Sequence, residues 1–109
     1  MSHTILQINL TYTCARGELK DAFSHAVDAI ATFPGLVWKI WIINDETKEA
    51  GGVYCFEDKR ALDAYVNSLF ITVLKADPMI SDVNIKTFDA IAPLTAKTRG
   101  PIPLNQLTA

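Results

Sequence analysis

The sequence has little of what builds metal centres, disulfide frameworks or nucleotide-binding loops. Its 109 residues include two histidines and two cysteines, and Cys14 and Cys55 are too far apart for a CxxC motif. It contains no GxGxxG, Walker, GxSxG or HExxH motif, the short patterns typical of dinucleotide sites, phosphate loops, serine hydrolases and zinc proteases. We therefore expect two free thiols in a reducing compartment and no bound metal, flavin or haem.

A surplus of basic charge and a long apolar run are missing as well. Ten basic side chains stand against twelve acidic ones, so the chain has no excess charge with which to neutralise the phosphates of a nucleic acid. Its apolar runs are shorter than the roughly 20 residues that cross a bilayer, and residues 1–4 lack the pattern of a signal peptide. The expected location is the cytoplasm, with no membrane or nucleic-acid partner.

The chain does have 50% hydrophobic residues, enough for one folded domain, and a clear order of periodic segments. Thr4 to Tyr12 alternate between two faces, one of them apolar, which predicts a half-buried strand. From Glu18, apolar residues recur every three or four positions, which predicts an amphipathic helix that ends at Phe33-Pro34-Gly35. Leu36 to Asn44 is β-branched and aromatic on both faces, and this predicts a strand that is covered on both sides.

The second half of the chain predicts a matching set of elements. Ala50 to Glu57 reads as a third strand, Asp58 is a fitting N-cap for a second helix that ends at Asp77-Pro78, and residues 83–88 alternate as a fourth strand. The prolines after Ala92 predict an extended tail. The resulting β-α-β-β-α-β order is that of the ferredoxin-like α+β fold, with both helices on one face of an antiparallel sheet. We place this single domain at residues 1–95 and the tail at residues 96–109.

The other face of this sheet needs a cover. The strand from Leu36 to Asn44 is apolar on both sides, and only the tail remains in the chain to cover it. A homodimer that stacks two sheets face to face meets this need most economically. We therefore expect the chain to assemble with a second copy of itself.

Aromatic side chains concentrate on the second and third predicted strands. Trp38 and Trp41 are three positions apart on one strand, so we expect them on opposite faces, and Tyr54 follows on the next strand. One interpretation is that these rings fill the core and the dimer interface. The functional interpretation is a pocket for a planar aromatic ligand, with the three rings in its wall.

A lysine and a pair of glycines are unusual in this setting. Lys39 lies between the tryptophans on a strand that otherwise looks buried. We expect it to form an ion pair with Glu49 or Glu57, and the alternative is that it extends to the sheet edge. Gly51 and Gly52 open the third strand although glycine weakens strands, so they indicate a bulge or a close approach to the backbone.

The residues from Pro34 to Asp58 resemble the YdhR family of mono-oxygenases. The chain reads PGLVWKIW and then EAGGVYCFED, and both stretches are similar to the family's pattern, as are Ala61 and Ala64-Tyr65. The likeness runs over nearly all of residues 4–95. It implies a dimeric α+β barrel, in which two ferredoxin-like sheets form a barrel with the helices outside.

The resemblance also implies kinship with small mono-oxygenases that oxidise aromatic, quinone-forming compounds without metal, flavin or haem. Our leading hypothesis is a cofactor-independent mono-oxygenase of an aromatic or polycyclic phenol, whose catalytic groups supply charge or a proton to the developing anion. The alternatives are a non-catalytic protein that binds a small aromatic ligand in the same pocket, and a barrel that serves only dimerisation. The candidate residues are Lys39 and Tyr54 as catalytic groups, and Trp38, Trp41, Gly51 and Gly52 as substrate-binding groups.

Overall fold

The chain forms a four-stranded antiparallel sheet with helices packed on one face, in a computed structural model that describes residues 3–102. Within these residues the elements are β1 (Thr4–Tyr12), α1 (Arg16–Ala31), β2 (Leu36–Asn44), β3 (Glu49–Phe56), α2 (Lys59–Val66), α3 (Leu69–Ala76), β4 (Ile80–Asp89) and α4 (Ala92–Lys97). The strand order is β2-β3-β1-β4, which confirms the ferredoxin-like α+β fold. None of the helices in residues 3–102 is long and apolar enough to span a membrane.

The sheet has a face toward the helices, which we call the helix face, and an opposite one, the outer face. On β1, Leu6, Ile8 and Leu10 are buried, whereas the residues between them are only partly buried. This alternation confirms the predicted half-buried strand, because only one of its two faces packs against the helices. The side chains at the centre of the core are Leu6, Ile8, Ile30, Tyr54, Phe56, Leu62, Tyr65 and Ile71.

The first helix ends and the second begins where the sequence predicts. Gly35 follows α1 with a φ of +86°, and a Cβ at this position would lie 2.4 Å from the Cβ of Ala61. Glycine is therefore required there both by conformation and by space. Asp58 is the N-cap of α2, and its carboxylate accepts a hydrogen bond from the backbone N–H of Ala61 at 2.9 Å.

The second predicted helix is not continuous, because Asn67 and Ser68 divide it into α2 and α3. The Ser68 hydroxyl donates to the carbonyl of Tyr65 at 2.6 Å, and the Asn67 side-chain amide donates to the carbonyl of Asp63 at 2.9 Å. These side chains satisfy carbonyls at the end of α2 in place of a further helical turn. The prediction of one long helix is therefore wrong, and α3 packs against the sheet as a separate element.

The prediction of an extended tail is also wrong, because residues 92–97 form α4 and the expected boundary between residues 95 and 96 falls inside it. Pro93 lies in the first turn of α4, where the missing N–H of proline costs no hydrogen bond. After α4 the chain returns to the second strand: the indole Nε1 of Trp38 donates to the carbonyl of Pro101 at 2.9 Å, and Ile102 is buried. Residues 103–109 of the predicted tail lie outside the described residues.

The outer face of the sheet stays partly open in a single chain. Ile40 on β2 is 52% exposed and Phe88 on β4 is 51% exposed. The expectation that β2 is covered on both sides is therefore not met in full within one chain, since Ile40 on its outer face is exposed whereas Trp38 and Ile42 on that face are half-buried.

Candidate functional site

A cavity of about 540 Å³ lies between the helix face of the sheet and the helices α1 and α3. Leu69 and Val73 of α3 line it and are largely exposed, so the cavity reaches the protein surface beside α3. A cavity of this size is typical of sites for small organic ligands, which measure about 300–1,000 Å³. Its wall is predominantly apolar and contains five aromatic rings: Phe23, Trp41, Tyr54, Tyr65 and Phe70.

Lys39 brings a basic amine into this apolar cavity. In the β2–β3 register Lys39 lies opposite Tyr54, so both side chains are on the helix face. The Lys39 Nζ lies 3.3 Å from the ring centroid of Trp41 and 4.5 Å from that of Tyr54. Burial lowers the pKa of Lys39 to about 7, because a charged amine is poorly solvated in such a site. The two ring faces act in the opposite direction, since they attract the ammonium form.

The expected ion pair of Lys39 with Glu49 or Glu57 is wrong. Within residues 3–102 Lys39 contacts no carboxylate at ion-pair distance. Glu49 pairs with Asn44 in the ladder and projects from the outer face, and Glu57 lies beyond the end of β3. Alternation along the strands therefore separates these carboxylates from the helix face, and aromatic rings contact the amine instead.

A pair of tyrosine hydroxyls lies in the same cavity. The hydroxyl oxygens of Tyr54 and Tyr65 are 3.2 Å apart, and both side chains are buried. Burial raises the pKa of Tyr54, and the neighbouring Tyr65 raises it further. Burial also raises the pKa of Tyr65. Both groups are therefore neutral hydrogen-bond donors at physiological pH, and the amine of Lys39 can accept a proton near neutrality.

The two glycines of β3 have different roles. A Cβ at Gly51 would lie 1.8 Å from the carbonyl oxygen of Ile8, and its φ is +154°, so this glycine permits the close pairing of β3 with β1. A Cβ at Gly52 would lie 2.6 Å from Cε of Lys39. The space left by Gly52 is therefore occupied by the side chain of Lys39, whereas we had expected it to admit a ligand.

Trp38, expected in the pocket wall, lies on the outer face and outside this cavity. It pairs with Cys55, whereas Trp41 pairs with Gly52, so the two indoles project from opposite faces as the sequence predicts. The register shifts between Leu36 and Trp38, which leaves Val37 as an extra residue in β2, a β-bulge. Of the two tryptophans, Trp41 belongs to the cavity, where its ring centroid is 5.1 Å from that of Phe23.

Sequence reasoning missed the part of the site that the helices contribute. Phe23 of α1 and Phe70 of α3 have the pattern of ordinary core positions, because an apolar helix stripe looks the same whether it faces a core or a cavity. Tyr65 of α2 belongs to the aromatic residues that the sequence singles out, but without a role in the site. Asp77, after α3, also lines the cavity, and its carboxylate accepts from the backbone N–H of Met79 at 2.8 Å. The sequence feature that could have indicated this part of the site is the presence of Tyr65 and Phe70 in the apolar stripe of the predicted second helix.

Residues that could bind a metal do not converge in the part of the chain that the structure describes. Among residues 3–102 no three His, Cys, Asp or Glu side chains form a group that could hold a metal ion. His3 and His25 are not among the residues that line the cavity. Cys14 and Cys55 are free, as predicted, and burial raises the pKa of the Cys55 thiol to about 11, which makes it a poor nucleophile.

Comparison with known proteins identifies a family that covers most of the chain. The family model described as "putative mono-oxygenase ydhR" matches residues 5–101. No curated protein matches the chain. The family found here is the one that the stretch from Pro34 to Asp58 resembles, and the resemblance is thereby confirmed.

Solved structures share the fold at low sequence identity. A protein of unknown function from Nitrosomonas europaea has a TM-score of 0.70 and 18% identity, over 84% of this chain and 91% of that one. SnoaB, a cofactor-independent oxygenase from Streptomyces nogalater, has a TM-score of 0.68 and 17% identity, over 83% and 94%. The heme-degrader MhuD from Mycobacterium tuberculosis, with two hemes in its active site, has a TM-score of 0.61 and 19% identity, over 80% and 95%.

Proposed function

This chain belongs to the YdhR family, and from that premise we propose that it is a cofactor-independent mono-oxygenase of a phenolic, polycyclic aromatic compound. The observation that carries the proposal is the amine of Lys39, which lines an aromatic cavity without a carboxylate partner among the described residues. Family membership supports oxygenase chemistry, and the cavity supports the class of substrate. The likeness to SnoaB, a cofactor-independent oxygenase, agrees with oxygenase chemistry that needs no cofactor.

The cavity wall favours a flat and largely apolar ligand with one polar end. Aromatic rings prefer stacked or edge-to-face contacts with other rings, and Phe23, Trp41 and Phe70 offer such surfaces. The polar end of the ligand would lie near the Lys39 amine and the hydroxyls of Tyr54 and Tyr65. A phenol satisfies these groups, because its hydroxyl can both donate a proton to an amine and accept a hydrogen bond.

In the proposed reaction Lys39 acts as the general base. Its neutral amine takes the phenolic proton, and the ammonium that forms stays beside the phenolate and stabilises it. The electron-rich anion then reduces dioxygen directly. A ring methylene conjugated with the phenolate loses its two hydrogens and gains one oxygen atom as a carbonyl, and the second oxygen atom leaves with those hydrogens as water. The ammonium of Lys39 then returns its proton to the phenolate of the product. The substrate itself supplies all four electrons, so no other reductant is needed.

The proposal includes a homodimer that buries the outer face. Ile40 and Phe88 leave apolar surface on that face, and a second copy of the sheet is the partner that matches it by symmetry. A stable interface of this kind buries about 1,600 Å² in total. In such a dimer the cavities stay on the helix faces, away from the interface.

Turnover of a model substrate tests the function. We expect metal-free protein, in the presence of a chelator, to convert anthrone to anthraquinone with one atom from isotopically labelled dioxygen. Lys39→Met should lower kcat by about 100-fold or more if the amine is the base. Lys48→Met is the matched control, because Lys48 is exposed and lies outside the cavity, and it should retain full activity.

Two other results would contradict the proposal. Binding of anthrone or 2-naphthol without any turnover would support the alternative of a non-catalytic binding protein. Full activity of Lys39→Met would remove Lys39 from the mechanism even if the protein is an oxygenase.

A further inference from the structure

We propose that the cavity has a second reactivity, in which the amine of Lys39 forms a reversible imine with aromatic aldehydes and ketones. The cavity, the amine and a proton donor are all present in the described structure. The proposal needs ligand entry and the Lys39 nitrogen, but it does not need dioxygen or an oxidisable phenol. It therefore goes beyond the proposed oxygenase function and stands or fails separately.

The Lys39 amine lies in the wall of the cavity, between two aromatic rings. Its Nζ lies against the faces of Trp41 and Tyr54, at 3.3 and 4.5 Å from their centroids, and it lines a cavity that otherwise presents mainly carbon. An aromatic carbonyl compound that stacks in this cavity would bring its carbonyl carbon to the cavity's only lysine among the described residues. Gly52 makes room for the lysine stem, since a Cβ there would lie 2.6 Å from its Cε.

The chemical state of the amine suits the reaction. Burial lowers the pKa of Lys39 to about 7, so a substantial fraction is neutral at physiological pH, and the neutral amine is the form that attacks a carbonyl. A solvent-exposed lysine is almost fully protonated under the same conditions. Desolvation of a lysine in an apolar pocket is a known way to activate it as a nucleophile.

The reaction balances without an oxidant or a reductant. The nitrogen lone pair attacks the carbonyl carbon and forms a C–N bond, while the carbonyl oxygen takes up a proton. The carbinolamine then loses its oxygen as water, with both hydrogens of that water traced to the amine, and a C=N double bond remains. The hydroxyl pair of Tyr54 and Tyr65, with oxygens 3.2 Å apart, lies in the same cavity and can donate the proton that the oxygen requires.

Reductive trapping of the imine tests the inference on the intact protein. We would incubate the protein with 2-naphthaldehyde and sodium cyanoborohydride, which fixes an imine as a stable amine, and follow the intact mass with time. We expect one naphthylmethyl group per chain, located at Lys39 by peptide fragmentation. Lys39 should react at least about tenfold faster than the exposed lysines, and an excess of 2-naphthol should slow its reaction.

Two variants complete the test. Lys39→Arg keeps the positive charge but removes the nucleophile, and it should lose the fast adduct, whereas Lys48→Met should keep it. Adducts spread over exposed lysines, with Lys39 not preferred, would overturn the proposal. The distribution of adducts is measured on the wild-type protein, so the test remains valid even if a variant fails to fold. Trapping at Lys39 without anthrone turnover would support the imine proposal and contradict the oxygenase proposal. Anthrone turnover without preferential trapping at Lys39 would support the oxygenase proposal and contradict the imine proposal.

Discussion

The two faces of the sheet differ in their surroundings, and the two tryptophans of β2 show the difference because they project from opposite faces. Trp41 on the helix face contacts Lys39 and Phe23 inside an aromatic cavity. Trp38 on the outer face donates a hydrogen bond to the backbone of Pro101 and lies outside the cavity. Identical side chains three positions apart thus belong to a candidate site and to a structural contact.

Residue type alone therefore does not assign a function to a side chain on a strand. The helix face is closed by α1 and α3 and leaves a cavity that only a small molecule can fill. The outer face is partly exposed and has no such cover over Ile40. Substitutions that act on one face should therefore change ligand binding, and those on the other should change assembly.

Gly51→Ala should have the largest effect and should damage both faces together. The added methyl group would collide with the carbonyl of Ile8, at 1.8 Å, and the φ of +154° disfavours any side chain. We expect a loss of about 3 kcal/mol or more in the free energy of unfolding, measured by urea denaturation. Gly17→Ala is the matched control, because no atom lies within 4 Å of its added Cβ, and it should stabilise α1 by up to about 1 kcal/mol. Equal stability of both variants would show that the β1–β3 approach is not as close as described.

Ile40→Glu should separate the faces by disrupting assembly alone. A carboxylate buried without a partner in the proposed interface costs a few kcal/mol, so we expect the dimer to dissociate at micromolar concentration in analytical ultracentrifugation. Binding of 2-naphthol in the cavity should survive. Val73→Glu is the control: Val73 is 65% exposed, on a helix rather than on the outer face, and the dimer should persist. A monomeric wild-type protein would contradict the assembly directly.

Lys39→Met should stabilise the protein, and the gain should depend on pH. Burial lowers the pKa of Lys39 to about 7, whereas the unfolded chain has the ordinary value near 10.4. Below pH 7 both states are protonated and the folded protein bears the full cost of a buried charge. Between these two pKa values only the unfolded state binds the proton, so the stability of the native protein rises with pH.

We therefore expect Lys39→Met to raise the free energy of unfolding by a few kcal/mol at about pH 6, since each unit by which burial lowers the pKa of Lys39 corresponds to about 1.4 kcal/mol. The gain should disappear toward about pH 10. Thermal melts of both proteins across this range provide the measurement. A gain that is independent of pH would mean that the lysine is not desolvated.

Trp41→Phe and Trp38→Phe should give the smallest effects and the clearest contrast. Loss of indole surface from the cavity should weaken binding of 2-naphthol about threefold to tenfold for Trp41→Phe. Trp38→Phe should leave this affinity unchanged and lower stability by about 0.5–1.5 kcal/mol, because it removes the hydrogen bond to Pro101. Fluorescence titration and melting temperatures distinguish the two. Similar affinities in both variants would place the ligand elsewhere.

Local patterns predicted the strands well, because alternation is set by which face is buried. The ends of β1 and β2 agree with the predicted Thr4–Tyr12 and Leu36–Asn44. The break between α2 and α3 could not be predicted in this way, because it depends on hydrogen bonds from Asn67 and Ser68 to carbonyls of the preceding turn. Helix periodicity alone continues through such a break.

The site was predictable only in part, because its geometry depends on pairing between strands. The sequence identified Lys39, Trp41 and Tyr54 as unusual, and the structure brings all three together in the cavity. The predicted ion pair of Lys39 was wrong, because the contacts of this side chain depend on the β2–β3 register. The role of Gly52 follows from the same register, since its missing Cβ makes room for the lysine.

The bulge at Val37 bears on how relatives of different length should be aligned. In a regular ladder continued from the Leu36–Phe56 pair, Trp38 would lie opposite Tyr54, and the strand would turn its other side to the cavity. The extra residue prevents this, so a relative with a one-residue gap at Val37 would form a regular strand and keep Lys39 and Trp41 on the helix face. A gap at Ile40 would instead put Lys39 and Trp41 on opposite faces. Removal of Val37 should therefore preserve the pocket, whereas removal of Ile40 should dismantle it without changing a single aromatic or basic residue.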